Sequence, residues 1–476
     1  MKKTLFLNPP SFEGFDGGAG ARYQAKREIK SNWYPTWLAQ LAALVPNSKL
    51  VDAPASGKTL DDIVAMAPDY EMVVIYASAA TYASEVRVVE AMKAANPKLM
   101  AGMVGAHVAT VPEPSLLASP AIDFIARHEF DYTIVDVAEG KPFTEIDGLT
   151  FRGPDGQPVH TKDRELIHDM DALPFVAPIY RRDLNVDDYF VGYIKHPYMS
   201  FYTGRGCKSK CSFCLWPQTI GGRVYRARSA AKVIEEVTQA RALFPEVKEF
   251  FFDDDTFTDD LERVEEIARG IGKLGVPWSC NAKANIPRKT LEVLKANGLR
   301  VLLVGYESGV QEILNNIRKG LRLDIMRKFS QDCHELGIIV HGTFIVGLPG
   351  ETKETIQQTL AFAKEVNPRT LQVSMAAPYP GTELFQQAID NGWFKQDKDL
   401  LMHDGWQMAA LSYEHLSSED IFKAVAEFYK AYYFRPSKIG EILWEMLHDW
   451  DMMKRRLREG VEFFQFLRTR DKASQC

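Results

Sequence analysis

The sequence has no long apolar run, and this absence excludes two classes of protein. The N-terminal segment MKKTLFLNPPSFEG has only a short mixed apolar stretch before Pro9, too short for the core of a signal peptide. No stretch approaches the roughly 18 uninterrupted apolar residues of a membrane-spanning helix. We therefore expect a cytoplasmic protein, whose thiols stay reduced.

The sequence also lacks a strong excess of charge of either sign. It has 57 Lys and Arg against 63 Asp and Glu, a formal net charge of −6. Without a basic excess, we expect no nucleic-acid partner. At 476 residues, with 46% hydrophobic and 25% charged residues, the chain is long enough for two or three ordinary globular domains.

Cysteine is scarce, yet three of the six cysteines fall within the stretch TGRGCKSKCSFCLWP. Cys207, Cys211 and Cys214 have the spacing C-x3-C-x2-C, with no fourth cysteine beside them. A closed zinc site needs four ligands, and Cys280 or Cys333 could supply the fourth, so a zinc-stabilised binding module stays an alternative. A [4Fe–4S] cluster usually has four thiolates, so three would leave one iron open to chelate a substrate or cofactor.

Residues 1–145 alternate short apolar runs with amphipathic stretches. This rhythm predicts an α/β fold with an open, doubly wound, Rossmann-like parallel sheet that binds ligands at the carboxyl ends of its strands. A polar connector follows over residues 146–192 and includes RGPDGQPVHTKDRE. The predicted strands are TLFLNPP, SKLVDAP, YEMVVIYAS, KLMAGMVGAHV and IDFIAR.

Residues 193–392 repeat a strand and a helix about six times. The repeat predicts a full or partial α/β barrel with its active site at the carboxyl ends of the strands, and the cysteine cluster directly follows the first strand. The strands stop after residue 392, and residues 393–476 are predicted to be helical. The predicted barrel strands are YMSFYTG, VKEFFFDDD, VPWSCNAKA, RVLLVGYESG, IIVHGTFIVG and TLQVSMAAPYP.

The cysteine spacing, with the aromatic Phe213 just before the last thiol, resembles the signature of the radical S-adenosylmethionine (SAM) enzymes. The resemblance implies a partial (β/α)6 barrel whose Cys207, Cys211 and Cys214 hold a [4Fe–4S] cluster. It also implies SAM bound at the open iron, hydrogen abstraction from a substrate, and a reducing electron donor such as flavodoxin or ferredoxin. Phe213 would lie beside the adenine of SAM.

The same resemblance assigns SAM contacts to other strand ends. Asp253, Asp254 and Asp255 are candidates to hold the amino group of SAM, since buried carboxylates need a partner. The alternative is that they cap the next helix in solvent. Lys283 stands where the family usually has an arginine near the SAM carboxylate, which keeps the charge but loses the bidentate geometry.

Two further strand ends supply candidates. Glu307 lies in VGYESG, and Gly347 lies in HGTFIVGLPGE, which resembles the strand that lines the adenine and ribose in this family. Both are therefore predicted to bind SAM.

The N-terminal segment resembles the cobalamin-binding domain that precedes the barrel in a large radical SAM subclass, through FLNPP, YPTWLAQLAALV and MVGAHVATVPE. The sequence has no D-x-H-x-x-G motif, so the resemblance implies base-off cobalamin without a histidine ligand, and His107 is not assigned to cobalt. The alternative is a vestigial domain, because Ala106 replaces a glycine. A nicotinamide-binding loop at GGAGAR is rejected, since Tyr23 replaces its third glycine.

The C-terminal tail has apolar residues at helical spacing and a basic cluster. The first interpretation is a helix packed on the barrel. The second is an interfacial helix whose cations face lipid phosphates. The apolar residues are Ile439, Ile442, Leu443, Met446, Leu447, Trp450, Met453 and Leu457, and the basic residues are Lys454, Arg455, Arg456 and Arg458.

Over its whole length, and most closely in SFEGFDGGAGARYQAKREIKSNWYPTWLAQ, the chain resembles radical SAM proteins of bacterial hopanoid biosynthesis. This implies a hopanoid lipid substrate whose glucosamine head group is contracted to a cyclitol ether, and a peripheral contact with the membrane. A cobalamin-dependent radical SAM methyltransferase is the alternative enzyme.

Overall fold

The computed structural model describes residues 1–10, 29–395, 405–448 and 450–473. The rejected nucleotide-binding loop GGAGAR (17–22) lies outside these residues.

The N-terminal part is built on a seven-stranded sheet in the order β2-β1-β3-β4-β5-β6-β7. The first five of these strands are parallel, which confirms the predicted doubly wound sheet. β1 and β3 are buried along their whole length, as expected for parallel strands covered on both faces. The strands are β1 (Thr4–Asn8), β2 (Ser48–Asp52), β3 (Met72–Tyr76), β4 (Met100–Val104), β5 (Phe124–Ala126), β6 (Leu149–Arg152) and β7 (Pro158–His160).

β6 and β7 form an antiparallel hairpin at one edge of this sheet. The N-terminal sheet therefore continues past residue 145, into the segment assigned from sequence to the connector. The helices of this part and of the connector are α1 (Thr36–Leu44), α2 (Ala53–Ser56), α3 (Leu60–Met66), α4 (Tyr82–Ala95), α5 (Ala106–Thr110), α6 (Pro112–Leu117), α7 (Asp131–Glu139) and α8 (Ala177–Asp183).

The second sheet has six parallel strands in the order β15-β14-β13-β12-β11-β8, which confirms the predicted partial barrel. Among the described residues, β15 and β8 have no further strand partner, so this barrel is open between them. A short pair, β9 with β10, lies beside its first strand. The strands are β8 (Tyr198–Phe201), β9 (Gly204–Arg205), β10 (Arg226–Ala227), β11 (Glu249–Phe252), β12 (Trp278–Ala282), β13 (Leu299–Glu307), β14 (Ile339–Val346) and β15 (Thr370–Met375).

Helices follow the barrel strands and continue into the tail. They are α9 (Leu215–Thr219), α10 (Ala230–Leu243), α11 (Leu261–Ile271), α12 (Arg288–Ala296), α13 (Gln311–Asn316), α14 (Leu323–Glu335), α15 (Lys353–Val366), α16 (Glu383–Asp390), α17 (Ser418–Tyr433), α18 (Pro436–His448) and α19 (Trp450–Ala473). No helix in the described part of the chain is long and apolar enough to cross a membrane.

The tail helices cover the open side of the barrel. On α17, the Tyr429 hydroxyl accepts a hydrogen bond from the backbone N–H of Val373 in β15, at 2.9 Å. On α19, Arg455 donates to the backbone oxygen of Ile194, shortly before β8, at 3.1 Å. The tail therefore spans from one edge strand to the segment that leads into the other.

Two of the four basic residues of α19, Arg455 and Arg456, do not lie as the interfacial interpretation predicts, whereas Lys454 and Arg458 are exposed. Arg455 pairs with Glu459 at 2.9 Å, and Arg456 pairs with Glu459 at 2.7 Å and with Glu445 at 3.1 Å. Since carboxylates of the tail itself neutralise these cations, they are not available for lipid phosphates.

Two buried arginines join the N-terminal domain to the barrel. The Arg205 guanidinium donates to both carboxylate oxygens of Asp131, at 2.7 and 3.0 Å, and also pairs with Glu129 at 3.2 Å. Arg226 pairs with the same Glu129 at 2.8 Å. The positive charge of Arg205 therefore serves the domain interface and is not free for the cysteine loop.

Candidate active site

The three clustered cysteines lie on the loop between β9 and α9, at the carboxyl end of the first barrel strand. Gly206 precedes them with φ +82°, and a Cβ there would lie 2.3 Å from the backbone oxygen of Val224 and 2.6 Å from that of Gly221. Only glycine fits so close to the strand pair β9–β10. The backbone is thereby fixed directly before the first thiol.

The three cysteines line one cavity of about 340 Å³, which we call the reaction cavity. Its walls come from the carboxyl ends of the barrel strands, where a barrel places its chemistry. Of the residues predicted from sequence, the structure places on its walls Cys207, Cys211, Cys214, Phe213, Asp255, Lys283 and Glu307.

The surroundings of Cys211 and Cys214 oppose ionisation of their thiols. Burial raises the pKa of Cys211 and of Cys214, while the ammonium of Lys319 acts in the opposite direction on both. Cys207 Sγ lies 3.6 Å from the Thr256 hydroxyl and 3.5 Å from the backbone N–H of Ser209. A bound metal centre would supply the missing charge, because cysteine binds metals as the thiolate.

The arrangement of the thiols fits a cluster better than a single ion. Among the described residues, no three His, Cys, Asp or Glu side chains converge closely enough to hold one metal ion. A [4Fe–4S] cluster binds each thiolate at a different iron, so its ligands are spread around the cluster. Cys280 and Cys333, the candidates for a fourth zinc ligand, are buried and do not line the reaction cavity.

The three consecutive aspartates after β11 have different environments. Asp254 is fully buried and accepts hydrogen bonds from the Thr203 backbone at 2.6 Å, the Thr203 hydroxyl at 2.8 Å and the Tyr225 hydroxyl at 2.9 Å. Asp253 accepts one from the Asn281 side chain at 3.0 Å. Only Asp255 lines the reaction cavity, so the other two hold the strand end in place.

Lys283 and Glu307 line the cavity as members of ion pairs. Lys283 Nζ lies 2.8 Å from a carboxylate oxygen of Asp259, which also pairs with Lys208 at 3.1 Å. Glu307, with φ +63°, pairs with Lys319 at 2.6 Å. Burial, the largest single cause, would lower the pKa of Lys319, but the charge and hydrogen bond of Glu307 together with the charges of Cys211 and Cys214 outweigh it and raise that pKa.

Gly347 lies outside the reaction cavity. It has φ +82°, and a Cβ there would lie 2.8 Å from Ile421 of α17. Its N–H donates to Glu351 at 2.6 Å, and its carbonyl accepts from the Tyr413 hydroxyl at 2.9 Å. This glycine forms the turn after β14 under the tail, which differs from the predicted contact with adenine and ribose.

Several residues of the reaction cavity could not be predicted from the sequence. Lys319 follows a short helix in NNIRKG, a context in which a lysine is usually solvated. Trp33 and Trp216 come from segments far apart in sequence, and Trp37 stacks on Trp216 with ring centroids 6.3 Å apart. Tyr193 is the first residue of the segment predicted to form the barrel, and it lies shortly before β8.

The N-terminal domain presents the carboxyl edge of its sheet, where α5 follows β4. Gly105 there has φ +119°, and a Cβ would lie 2.5 Å from the backbone oxygen of Ala77. His107 Nδ1 is buried without a hydrogen-bond partner among the described residues, and burial lowers the pKa of this imidazole to about 4. An uncharged ring with an open nitrogen fits the amide groups around a corrin ring.

Comparison with known sequences identifies the barrel. Residues 201–363 match the family model described as the Radical SAM superfamily. An uncharacterized methyltransferase of Pyrococcus horikoshii is 29% identical over 475 aligned residues, covering 96% of this chain and 98% of that protein. An anaerobic magnesium-protoporphyrin IX monomethyl ester cyclase of Rubrivivax gelatinosus is 27% identical, covering 82% of this chain and 70% of that protein.

Solved structures share the fold over most of the chain. The radical SAM methyltransferase TsrM of Kitasatospora setae, solved with cobalamin and a [4Fe–4S] cluster, has a TM-score of 0.69 at 13% identity and covers 100% of both chains. The cobalamin-dependent SAM radical enzyme OxsB, solved with aqua-cobalamin and SAM, has a TM-score of 0.70 at 13% identity and covers 96% of this chain and 72% of its own.

Proposed function

We propose that this chain is a cobalamin-dependent radical SAM methyltransferase. Residues 201–363 match the Radical SAM superfamily, which makes the chain an enzyme that uses a [4Fe–4S] cluster and SAM. The observation that carries the proposal is the meeting of Cys207, Cys211 and Cys214 with Asp255 on one cavity wall. The relative named as a methyltransferase and the radical SAM methyltransferase TsrM support the choice of methyl transfer. The structures of TsrM and OxsB, both solved with cobalamin, support the choice of cobalamin.

In this proposal the three cysteines hold the cluster, and the other cavity residues hold SAM. When bound, the cluster and SAM supply hydrogen abstraction, and cobalamin supplies the methyl group. Asp255 would pair with the amino group of SAM, and the ammonium of Lys319 would face its carboxylate. Phe213 would pack against the adenine, and Trp33 and Trp216 would keep water away from the reacting carbon.

The proposal for cobalamin concerns the carboxyl edge of the N-terminal sheet. His107 would donate or accept a hydrogen bond through Nδ1 to an amide of the corrin, and no histidine would bind cobalt. Electrons would come from a small reductant such as flavodoxin or ferredoxin.

Cluster content tests the cysteine assignment. We expect the anaerobically reconstituted chain to bind about four irons and to release 5′-deoxyadenosine from SAM once reduced. Changing Cys207, Cys211 and Cys214 together to Ala should remove both properties. Cys280→Ala and Cys333→Ala are the matched controls, because these buried cysteines lie outside the cavity. Continued SAM cleavage by the triple variant would refute the assignment.

Retention of cobalamin by the full chain tests the part of the proposal that concerns cobalamin. The visible spectrum should report one bound cobalamin, and His107→Ala should leave the electron paramagnetic resonance signal of the cobalt unchanged while weakening retention. A chain that never retains cobalamin would favour the vestigial domain instead.

The second candidate is ring contraction of the glucosamine head group of a hopanoid. Its supporting observation is the exposed apolar surface of α18–α19, described below, which suits a lipid substrate and a peripheral membrane contact. Incubation with SAM, reductant and the glucosaminyl hopanoid without oxygen distinguishes the candidates by mass spectrometry. A product heavier by one methylene favours methyl transfer, an isomeric product favours contraction, and an unchanged lipid excludes this substrate for both.

A further inference from the structure

A second cavity, of about 270 Å³, lies between the tail helices α18 and α19 and the edge strand β15. We call it the tail cavity. Its walls are largely aliphatic and aromatic, and include Leu371, Tyr433, Ile442, Leu443 and Phe463. It occupies the open side of the barrel that the tail helices cover.

The tail cavity continues into the reaction cavity. Tyr193, His341 and Gln372 line both cavities, and the Tyr193 and His341 rings stack with centroids 4.0 Å apart. Arg369, Thr370 and Leu371 line the tail cavity, whereas Ser374, further along β15, lines the reaction cavity. One ligand long enough to pass this stacked pair would occupy both.

The charged residues on the wall of the tail cavity are paired with one another. Arg456 lies 2.7 Å from Glu459 and 3.1 Å from Glu445, and Arg369 pairs with Glu441 and Glu445. Paired charges leave no net attraction for a charged ligand. The wall therefore favours an uncharged, apolar group.

The mouth of the tail cavity opens on an apolar surface. Phe434, Leu443 and Phe464 line the cavity and are also about half exposed. Trp444 and Leu447 extend this surface along α18, and Leu447 is 82% exposed. Such contiguous exposed apolar side chains are unusual on a soluble surface and give an apolar ligand a route of entry.

Gly460 keeps the cavity open. It lines the tail cavity from α19, and a Cβ built there meets no atom within 4 Å. A glycine inside a helix costs about 1 kcal/mol relative to alanine, yet a larger side chain here would occupy the free space.

We propose that the tail cavity binds an uncharged hydrocarbon part of the substrate while the polar, reacting part lies in the reaction cavity. The substrate is therefore amphipathic and enters between α18 and α19 and the edge strand β15. This inference rests on the proposed function for the chemistry at the polar end, but not for binding of the apolar end.

The first test uses the full cluster-loaded chain and diphenylhexatriene, a rigid apolar probe that fluoresces on leaving water. We expect a saturable site that Gly460→Leu weakens by at least about tenfold, or 1.4 kcal/mol. Gly440→Leu is the matched control, because Gly440 is also a glycine of a tail helix with open space at Cβ, but does not line the cavity. Both substitutions raise helix propensity, so helix stability cannot explain a difference.

Further variants separate the cavity from the surface. Leu447→Ser should keep probe binding, since Leu447 does not line the cavity, and Ile442→Trp should lose it as a second way to fill the space. Equal binding by the Gly460→Leu and Gly440→Leu variants, or loss of binding in Leu447→Ser, overturns the proposal.

The second test follows labelled methyl groups from SAM into a total lipid extract. We expect labelling by the wild type and the Gly440→Leu variant, and a loss of about tenfold or more in Gly460→Leu. Labelling that is equal in the two variants would refute the role of the cavity in substrate binding. A wild type that binds the probe but labels no lipid would refute methyl transfer to a lipid substrate and would leave binding of apolar groups in the tail cavity standing.

Discussion

Asp254 and Asp255 are neighbours in the chain, yet one has a structural role in the interior and the other faces the reaction cavity. Asp254 satisfies three donors from Thr203 and Tyr225 in the interior, whereas Asp255 lines the reaction cavity. When a fully buried acceptor is removed, its donors in the interior lose their partner. Stability and ligand binding should therefore separate between these two positions.

We expect Asp254→Ala to lower the free energy of unfolding by roughly 1–3 kcal/mol or more, because buried donors lose their acceptor. Asp255→Ala should cost less stability than Asp254→Ala and weaken SAM binding by about tenfold or more, since it removes one charge-assisted contact. Chemical denaturation and equilibrium dialysis with SAM measure the two effects. The opposite pattern would move the SAM contact from Asp255 to Asp254.

The pair of Lys319 and Glu307 allows a double-mutant test. Lys319→Met alone should destabilise the fold by about 3–5 kcal/mol, because Glu307 stays buried without its partner. Adding Glu307→Met should restore much of that loss. Lys423→Met, which breaks an exposed pair with Glu419 on α17, is the control and should change stability by less than about 1 kcal/mol. Additive effects of the two buried substitutions would contradict this coupling.

The junction of β3 and α4 contains a buried acid. Glu85 of α4 accepts hydrogen bonds from the Ser78 backbone at 3.1 Å and from the Thr81 hydroxyl, and burial raises its pKa to about 8. In the unfolded chain this carboxyl ionises at its ordinary pKa, near 4.3. The folded state therefore binds the proton more tightly, and stability falls as pH rises between these two values.

We expect unfolding measurements to find this loss at up to about 1.4 kcal/mol per pH unit between about pH 5 and 8. Glu85→Gln should flatten that region and stabilise the protein at pH 8. Glu90→Gln, on the same helix, is the control and should keep the wild-type slope. A flat profile in the wild type would place the pKa of Glu85 near its ordinary value.

The α18–α19 helix pair gives a prediction about membrane contact. Arg455 and Arg456 are neutralised by Glu445 and Glu459, so we expect the exposed apolar side chains to make the main contact with a bilayer. Sedimentation with liposomes should fall when Leu447 and Trp444 are both changed to Ser, and raised salt should have little effect. Ile325→Ser, at an exposed site on α14, is the control. A strong salt dependence would restore the role predicted for the basic cluster.

The two domains are joined by the buried contacts of Arg205 and Arg226. Arg205→Met should lower stability by about 3–5 kcal/mol, because Asp131 keeps a buried charge without a partner. It should also split one calorimetric unfolding transition into two, for the N-terminal domain and the barrel. Arg322→Met, which breaks an exposed pair with Asp324, should change neither. A single unchanged transition in Arg205→Met would argue against the link.

The overall architecture could be predicted because strand and helix alternate in the sequence, and each buried parallel strand is a short apolar run. Contacts between segments that are distant in the sequence could not be predicted. Arg205 meets Asp131 across more than seventy residues, and no local pattern marks that pairing. The edge hairpin β6–β7 resembles a linker in sequence, since β7 is largely exposed and neither strand carries a long apolar run. Which aspartate of the three faces the cavity depends on the backbone geometry after β11.

Arg205 stands two residues before Cys207, so the domain interface and the first thiol share one short piece of backbone. If the N-terminal domain moved away from the barrel during the reaction cycle, the guanidinium groups of Arg205 and Arg226 would lose their carboxylate partners. The same movement would displace the thiol of Cys207. The cost of separating buried pairs makes such a swing slow and rare. We therefore expect the two domains to stay in contact through every turnover, while ligands enter and leave without a movement of one domain against the other.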